Sequence, residues 1–361
     1  MNILVLGGTG AMGVHLVEFL SQRGDAVFVT SRRERPSRKN VTYIRGDAHD
    51  NVFLQTLLDS RRWDAIVDFM VYRTGEFRHR MPQLLAATAQ YVFLSSSRVY
   101  ADSAEPITED SPRLLDVSAD AAYLKTDEYA LTKARQENEL ADCGAGNWTI
   151  VRPYITYSEI RLQLGVLEKE NWLYRALHGQ TIVFSKDIAD RMTTLTYGYD
   201  VARGIAALIG NDKALGEAFH ITCNYPIRWS EVLDIYLDVL ESKTGQRPKV
   251  KMLNKSPFIS PQVVYDRYYN RVFDNTKING FIDTATFTEP HTGLRQCLEA
   301  FLEKPQFGEI GIERTALFDR IAGERTPLSA FSGIKHKTAY LLYRNCPSAA
   351  RIMAGIYHRI K

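Results

Sequence analysis

The sequence predicts an α/β fold: a doubly wound parallel sheet covered by helices on both faces, followed by a smaller α/β lobe and a helical tail. Three observations lead there. Residues 3–6 form an apolar run without polar alternation, as a strand buried on both faces requires. Gly7, Gly10 and Gly13 follow it at a G-x-x-G-x-x-G spacing and open a helical pattern. Beyond them strands and helical stretches alternate at regular intervals, the pattern of parallel strands joined by crossover helices.

Composition bounds the class. With 361 residues and 45% hydrophobic content, the chain can bury a large core and fill one large or two smaller domains. No basic leader precedes the first strand, and no apolar run reaches the roughly 18 to 20 residues that span a bilayer. A soluble, cytoplasmic protein is expected. Cys143, Cys223, Cys297 and Cys346 are far apart, and no H-x-x-x-H pair occurs, so neither a disulfide framework nor a metal site is expected. The net charge of +3 is concentrated at the end, because residues 325–361 hold seven Lys or Arg and no acid. The main body is therefore net negative, which argues against nucleic-acid binding.

Each glycine of the opening stretch has a physical task. Gly7 permits a sharp turn, Gly10 lets backbone approach a pyrophosphate, and Gly13 lets the helix lie close to the strand. Val14, Leu16, Val17 and Leu20 then recur on one helical side. The N–H groups around Thr9, Ala11 and Met12 begin that helix and carry about half a positive charge from aligned peptide dipoles, which suits phosphates.

Residues 26–30 read as the second strand, ending in Ser31, Arg32 and Arg33. A carboxylate here would accept hydrogen bonds from the 2′-OH of NAD, whereas hydroxyls and guanidiniums suit a 2′-phosphate. NADP is thus expected, with NAD the alternative. Glu34 and Arg35 show that the loop is charged throughout, as a merely solvated loop would also be. Residues 41–45 are a third strand, followed by Asp47, which suits an adenine amino group. Residues 64–70 are a fourth, running into Val71 and Tyr72. Residues 91–94 are a fifth, running into Ser95-Ser96-Ser97-Arg98-Val99-Tyr100. Ligands of a parallel sheet gather at these carboxyl ends.

Residues 127–137 favour helix and lack Gly and Pro. Tyr129 and Lys133 stand four apart and share a helix face. A phenol has a pKa near 10, and bringing it toward neutrality takes about 4 kcal/mol of preferential stabilisation of phenolate. A lysine ammonium and a cationic oxidised nicotinamide are sources of such a field. The spacing alone is uninformative, since Tyr357 and Lys361 repeat it. Tyr129 stands out by its place, one helix after the serine-bearing strand end.

Residues 148–153 are a sixth strand, ahead of Tyr154. The alternation then loosens. Residues 161–179 read as mostly helical, 181–184 as a strand, 193–208 as strand then helix, and 218–222 as a strand. Residues 230–242 read as a helix capped by Ser230, 249–253 as a strand and 293–302 as a helix. The expected organisation is a dinucleotide-binding domain over 1–155, joined by elements of about 193–222. A substrate lobe over 156–306 follows, with substrate between the lobes, and a basic helical extension over 307–361. In that extension Ala349, Ile352, Met353, Ile356, Tyr357 and Ile360 share one helix face, suited to packing on the chain itself, to a partner or to an anionic membrane surface. A homodimer is the expected assembly.

The glycine loop, the serine-rich strand end, Tyr129 with Lys133, and Val151-Arg152-Pro153-Tyr154 occur in an order that resembles the extended short-chain dehydrogenases/reductases, the NAD-dependent epimerase/dehydratase family. The resemblance covers roughly residues 1 to 305. It implies a Rossmann domain, Tyr129 as general acid/base, and Lys133 holding the nicotinamide ribose. Ser96, four before Tyr100, would position the substrate oxygen, and Pro153 and Tyr154 would lie beside the nicotinamide. Ser97 and Arg98 stand where the family's 4,6-dehydratases carry an Asp-Glu pair, which speaks against sugar dehydration. Thr193 stands where an arginine often clamps a nucleotide diphosphate. Arg98, Arg161 and Arg191 are candidate substitutes, and Ser97 and Tyr72 are further candidate substrate contacts. Tyr72 and Trp172 either stack on substrate or pack in the core. The implied function is NAD(P)-dependent oxidation–reduction of a nucleotide-activated sugar, with keto-sugar reduction foremost. A cofactor-retaining epimerase and a non-catalytic dinucleotide sensor are the alternatives.

Overall fold

The computed structural model describes residues 1–350; most of the apolar face expected in the tail helix falls at 351–361, outside the described residues. By internal packing the chain forms two units. Residues 1–158, 192–227 and 269–293 make the first, and residues 159–191, 228–268 and those from 294 onward make the second. Among the described residues no helix is long and apolar enough to cross a membrane.

The first unit is built on seven parallel strands: β1 (Asn2–Leu6), β2 (Ala26–Ser31), β3 (Val41–Arg45), β4 (Trp63–Asp68), β5 (Thr88–Leu94), β6 (Trp148–Pro153) and β7 (Glu217–Ile221). Their order is β7-β6-β5-β4-β1-β2-β3. The winding reverses at β1, which pairs with both β2 and β4, and a crevice opens beyond the carboxyl end at such a reversal. Ile3 and Val5 enter one core while Leu4 and Leu6 enter the other, which is why the run shows no polar alternation. Helices α1 (Gly13–Gln22) and α5 (Gly198–Leu208) cover the first face through Leu16, Val17, Leu20, Val201, Ile205 and Leu208. Helices α2 (Asn51–Asp59), α3 (Thr74–Ala86) and α4 (Tyr129–Asp142) cover the second through Leu54, Leu58, Phe77, Leu84 and Leu140. Each such side chain contributes roughly 1.5–3 kcal/mol. Val14, expected on the apolar side of α1, is exposed instead.

Residues 269–293, expected in the second lobe, are stitched to the first unit. The Arg271 guanidinium donates to the carbonyls of Tyr100 and Ala101, and Asn275 Nδ2 to that of Thr222.

In the second unit, strand Ile182–Ser185 runs parallel to Val250–Leu253. Helix Lys169–Leu177 is shorter than expected because Gly165, at φ +59°, lets the chain turn so that Leu164 and Leu167 exchange backbone hydrogen bonds. Helix Trp229–Thr244 starts one residue before Ser230. Its start is secured instead by Glu231, whose carboxylate accepts the Arg228 amide N–H at 2.9 Å. Trp172 is fully buried and stacks on Tyr236 with centroids 4.4 Å apart, a core member.

The described part of the expected extension is integral to this unit. Helices Ile312–Ala322 and Gly333–Asn345 share a small core of Ala316, Phe331 and Tyr340. Buried Arg175 pairs with Asp319 at 2.7 Å and with Glu324 at 3.0 Å. The Tyr340 hydroxyl donates to Asp319 at 2.6 Å.

Candidate active site

The glycine loop leaves β1 directly. Gly7 has φ +70°, a backbone state that side chains other than glycine adopt at a cost, and its N–H donates to Thr30 Oγ1 at 3.0 Å. Thr9 N–H closes the turn on the Gly7 carbonyl at 2.8 Å. A Cβ on Gly13 would lie 2.6 Å from the Gly8 carbonyl carbon, so the first turn of α1 rests on loop backbone. A Cβ on Gly10 would meet nothing within 4 Å. Gly7 and Gly13 therefore serve the chain's own geometry, whereas Gly10 faces open space. Gly198, not singled out from the sequence, closes α5 against the loop, since its Cβ would lie 2.4 Å from the Ala11 carbonyl oxygen. Helix α1 starts after Met12 with no side-chain cap. Open space at Gly10, leading into an uncapped helix start at the reversal of the sheet, fits the pyrophosphate of a dinucleotide.

The tips of β2 and β3 carry cations. Ser31 Oγ donates to the Arg33 carbonyl at 2.7 Å and accepts the Arg33 N–H at 3.3 Å. Strand register sets Ser31 beside Arg45, a residue the sequence reading did not single out. Arg32, Arg33 and Arg45 are exposed, and none enters an ion pair among the described residues. Asp47 is exposed nearby in the chain and accepts the His49 N–H at 3.0 Å.

Tyr129 is the first residue of α4 and Lys133 lies one turn on. The Lys133 ammonium is buried, donates to the Leu94 carbonyl at 2.6 Å and lies 4.4 Å from the Phe93 ring centroid. Burial pulls its pKa down to about 8, against the opposing attraction of Asp68 and Glu137. The three serines at the end of β5 are distinguishable by what they donate to. Ser95 Oγ gives its proton to the Glu137 carboxylate at 2.5 Å and Ser97 Oγ to the Arg152 carbonyl at 2.7 Å. Ser96 Oγ accepts the Arg98 N–H at 3.2 Å, so its own proton is available to another acceptor.

Glu137, four residues after Lys133, organises the surroundings. It accepts Arg152 Nε and Nη2 at 2.8 Å each and Arg113 Nη1 at 3.2 Å. Arg152 Nη1 in turn donates to the Tyr100 hydroxyl at 2.9 Å. One buried network thus joins α4, the end of β5 and β6. The Arg98 guanidinium lies over the Tyr129 ring, 5.2 Å from its centroid. It also pairs at 2.6 Å with Glu128, the residue that caps α4.

Residues 3–222 match the model of the NAD dependent epimerase/dehydratase family. The chain belongs to this family. A chloroplast stem-loop binding protein of 41 kDa from Arabidopsis thaliana is 23% identical over 61% of the chain and 58% of its own length. A 2′-dehydrokanamycin reductase of Streptomyces kanamyceticus is 24% identical over 65% of both. The chain thus spans under two thirds of the length of each of these relatives. Among solved structures, a UDP-glucuronic acid 4-epimerase from Bacillus cereus, in complex with UDP-glucuronic acid and NAD, aligns over 84% of this chain and 99% of its own. Its TM-score is 0.63 at 19% identity, a likeness of fold.

The remaining candidates of this family member separate clearly. Tyr72 is 2% exposed and its hydroxyl donates to Asp68 at 3.3 Å, and Ser97 is fully buried. Tyr72 thus takes the core position that was one of its two readings, and the Ser97 hydroxyl is committed to the Arg152 carbonyl. Arg98 is engaged by Glu128 and Tyr129 as described. Pro153 ends β6 in register with Ile221. Tyr154 is 8% exposed and packs 5.4 Å from the Phe273 ring. Arg161 and Arg191 belong to the second unit, where Arg161 pairs with Glu168 at 3.2 Å. The Arg191 side chain is exposed, and its carbonyl accepts the Trp229 N–H.

Proposed function

We propose that this protein is an NADP-dependent oxidoreductase that reduces a keto group of a nucleotide-activated sugar. The observation that carries the reading is the junction of β5 and α4. There Ser96 has a proton to give, Tyr129 opens the helix, and Lys133 is buried one turn later. The loop over 7–13, with Thr9, Ala11 and Met12, would hold the cofactor's pyrophosphate. Ser31, Arg32, Arg33 and Arg45 would take its 2′-phosphate, Asp47 its adenine, and Lys133, Pro153 and Tyr154 its nicotinamide ribose and ring. The bound cofactor supplies the redox chemistry. Ser96 orients the substrate carbonyl by donating to its oxygen. Tyr129 gives that oxygen a proton as negative charge develops on it, and the Lys133 ammonium favours the phenolate left behind. General acid catalysis of this kind contributes typically about 10²–10⁴-fold.

The choice of NADP rests on three unpaired guanidiniums at the β2 and β3 tips. The choice of reduction draws on the name of the Streptomyces relative, and that of a nucleotide sugar on the UDP-glucuronic acid of the Bacillus cereus neighbour. That neighbour is an epimerase, which favours a second reading in which the same residues serve oxidation followed by re-reduction without net consumption of cofactor. Tyr129→Phe tests the shared chemistry. Turnover of keto sugar nucleotides, followed by NADPH absorbance, should fall at least about 100-fold while NADPH affinity is kept. Near-normal turnover in that variant refutes the assignment. Tightly retained cofactor and epimerised product without NADPH consumption would select the second reading.

A further inference from the structure

Two buried ionisable side chains neighbour one aromatic residue, Phe93 of β5. Asp68 ends β4 and pairs in register with Phe93 of β5, and the Lys133 ammonium lies over the Phe93 ring. Asp68 is 0% exposed and Lys133 1%. The Asp68 carboxylate accepts only from neutral donors: Met70 N–H at 2.9 Å, the Tyr72 hydroxyl at 3.3 Å and the Tyr91 hydroxyl at 2.8 Å. Lys133 donates to a backbone carbonyl. Neither enters an ion pair among the described residues, although an uncompensated buried charge is costly.

The other charged and titratable groups around this pair are already matched. Glu137, on the same helix as Lys133, is held by Arg152 and Arg113, and its attraction for Lys133 comes second to that of Asp68. Arg98 is paired with Glu128, and Arg80, over the Tyr72 ring, with Glu76. Burial and the charge of Asp68 push the Tyr72 and Tyr91 hydroxyls far up, so both stay protonated. Tyr129, one turn before Lys133, is the phenol whose chemistry is at issue. Asp68 is left as the carboxylate near Lys133 that no guanidinium neutralises.

We propose that Asp68 is a positioning residue for the reaction: beside Phe93 in the sheet, its buried carboxylate keeps the Lys133 ammonium charged and so maintains the field that Tyr129 needs. The inference rests on the roles given above to Lys133 and Tyr129. The directions of titration agree with the geometry. Burial leaves the Asp68 carboxyl raised overall, opposed by its bonds from Met70 and Tyr91 and then by the charge of Lys133, while burial lowers Lys133 and Asp68 opposes that.

Asp68→Asn keeps the shape of the site and one acceptor oxygen, for Met70 N–H and the Tyr72 hydroxyl, and removes the charge; the Tyr91 hydroxyl must turn to accept from the new amide. Because Lys133 must be protonated, kcat/KM falls as pH rises through its pKa, and removing Asp68 lowers that pKa. The alkaline limb of kcat/KM should therefore move about one unit or more toward acid, a loss of at least about fivefold at the pH of the wild-type midpoint. A purely structural role would lower activity without moving the limb. In cofactor-free protein, the stability losses of Asp68→Asn and Lys133→Met should fall well short of additive when combined. Lys133→Met alone, which remains informative should Asp68→Asn not fold, leaves Asp68 uncompensated. Its stability deficit should narrow as pH falls from 8 to 5 and the carboxyl takes a proton. An unmoved limb, an additive cycle or a deficit independent of pH overturns the proposal. The melts need no substrate, so they decide it even if the assigned reaction fails.

Discussion

Two alanine substitutions in one loop should fail in opposite ways, because the structure gives Gly10 and Gly13 different neighbours. In Gly13→Ala the new methyl lies 2.6–2.7 Å from three backbone atoms of Gly8, and backbone cannot rotate away as a side chain can. Overpacking of this kind costs about 1–3 kcal/mol, offset by at most about 1 kcal/mol from alanine's better helix propensity. The cofactor-free protein should therefore melt lower by several degrees, at about 2–4 °C per kcal/mol for a unit of this size. In Gly10→Ala the methyl meets nothing within 4 Å, so the melt should stay within the effect of about ±0.5 kcal/mol usual for surface changes. The methyl instead fills space that a pyrophosphate needs. At an NADPH concentration of 100 times the wild-type dissociation constant, wild-type protein gains about 2.7 kcal/mol, and Gly10→Ala should lose most of that gain. Thermal melts of three proteins, with and without NADPH, suffice. A full NADPH shift in Gly10→Ala would sink the phosphate reading. So would a cofactor-free Gly10→Ala that melts as low as Gly13→Ala.

Glu137→Gln should cost roughly 3–5 kcal/mol, since it leaves the buried Arg152 guanidinium without its carboxylate. A melt lowered by less than about 2 °C would show that the network carries little, and replacing both partners by methionine should recover part of the loss. His220 offers a pH test. It is fully buried, Nε2 lies 2.7 Å from the Asp274 carbonyl, and burial pulls its pKa down to about 4. An unfolded histidine protonates near 6.5, so on acidification the unfolded chain binds a proton that the folded chain refuses. The contribution is complete above about pH 6.5 and lost as pH falls toward 4, a loss of about 3 kcal/mol. His220→Asn should flatten the acid side of the stability curve between pH 7 and 4, and parallel curves for the two proteins would refute this.

The parallel sheet was legible because its signal is local. Residues 3–6 state their strand through unbroken apolar content and residues 41–44 through β-branched and aromatic content, and observed bounds differ from expectation by at most a few residues. Where the reading failed, the deciding group lay elsewhere in the chain. Ser230 is a good capping residue by type, yet Glu231 reaches back to Arg228 and starts the helix a residue earlier. Gly165 sits in a stretch of helix-favouring residues, but a Cβ there would lie 2.9 Å from Phe184, across the packed interior of the second unit. The basic tail reads as a separate extension because charge is counted along the chain. Arg175, more than 100 residues away, is what claims Asp319 and Glu324.

The site divides along the same line. Spacing places Tyr129 and Lys133 on one face of α4 and Ser95, Ser96 and Ser97 at one strand end, and there its information stops. Which serine keeps a proton is decided by acceptors from two other elements, Glu137 of α4 and the Arg152 carbonyl of β6. Asp68 is the second acid of β4, after Asp64, and the one that is fully buried; Met70, Tyr72 and Tyr91 converge on its carboxylate. Burial still raises its pKa against those three donors. The nearby cation is Lys133, whose ammonium lies over the ring of Phe93, the residue in register with Asp68. Among the described residues no ion pair joins the two, and the Lys133 ammonium donates to the Leu94 carbonyl, so a role for Asp68 would act through its field rather than by contact.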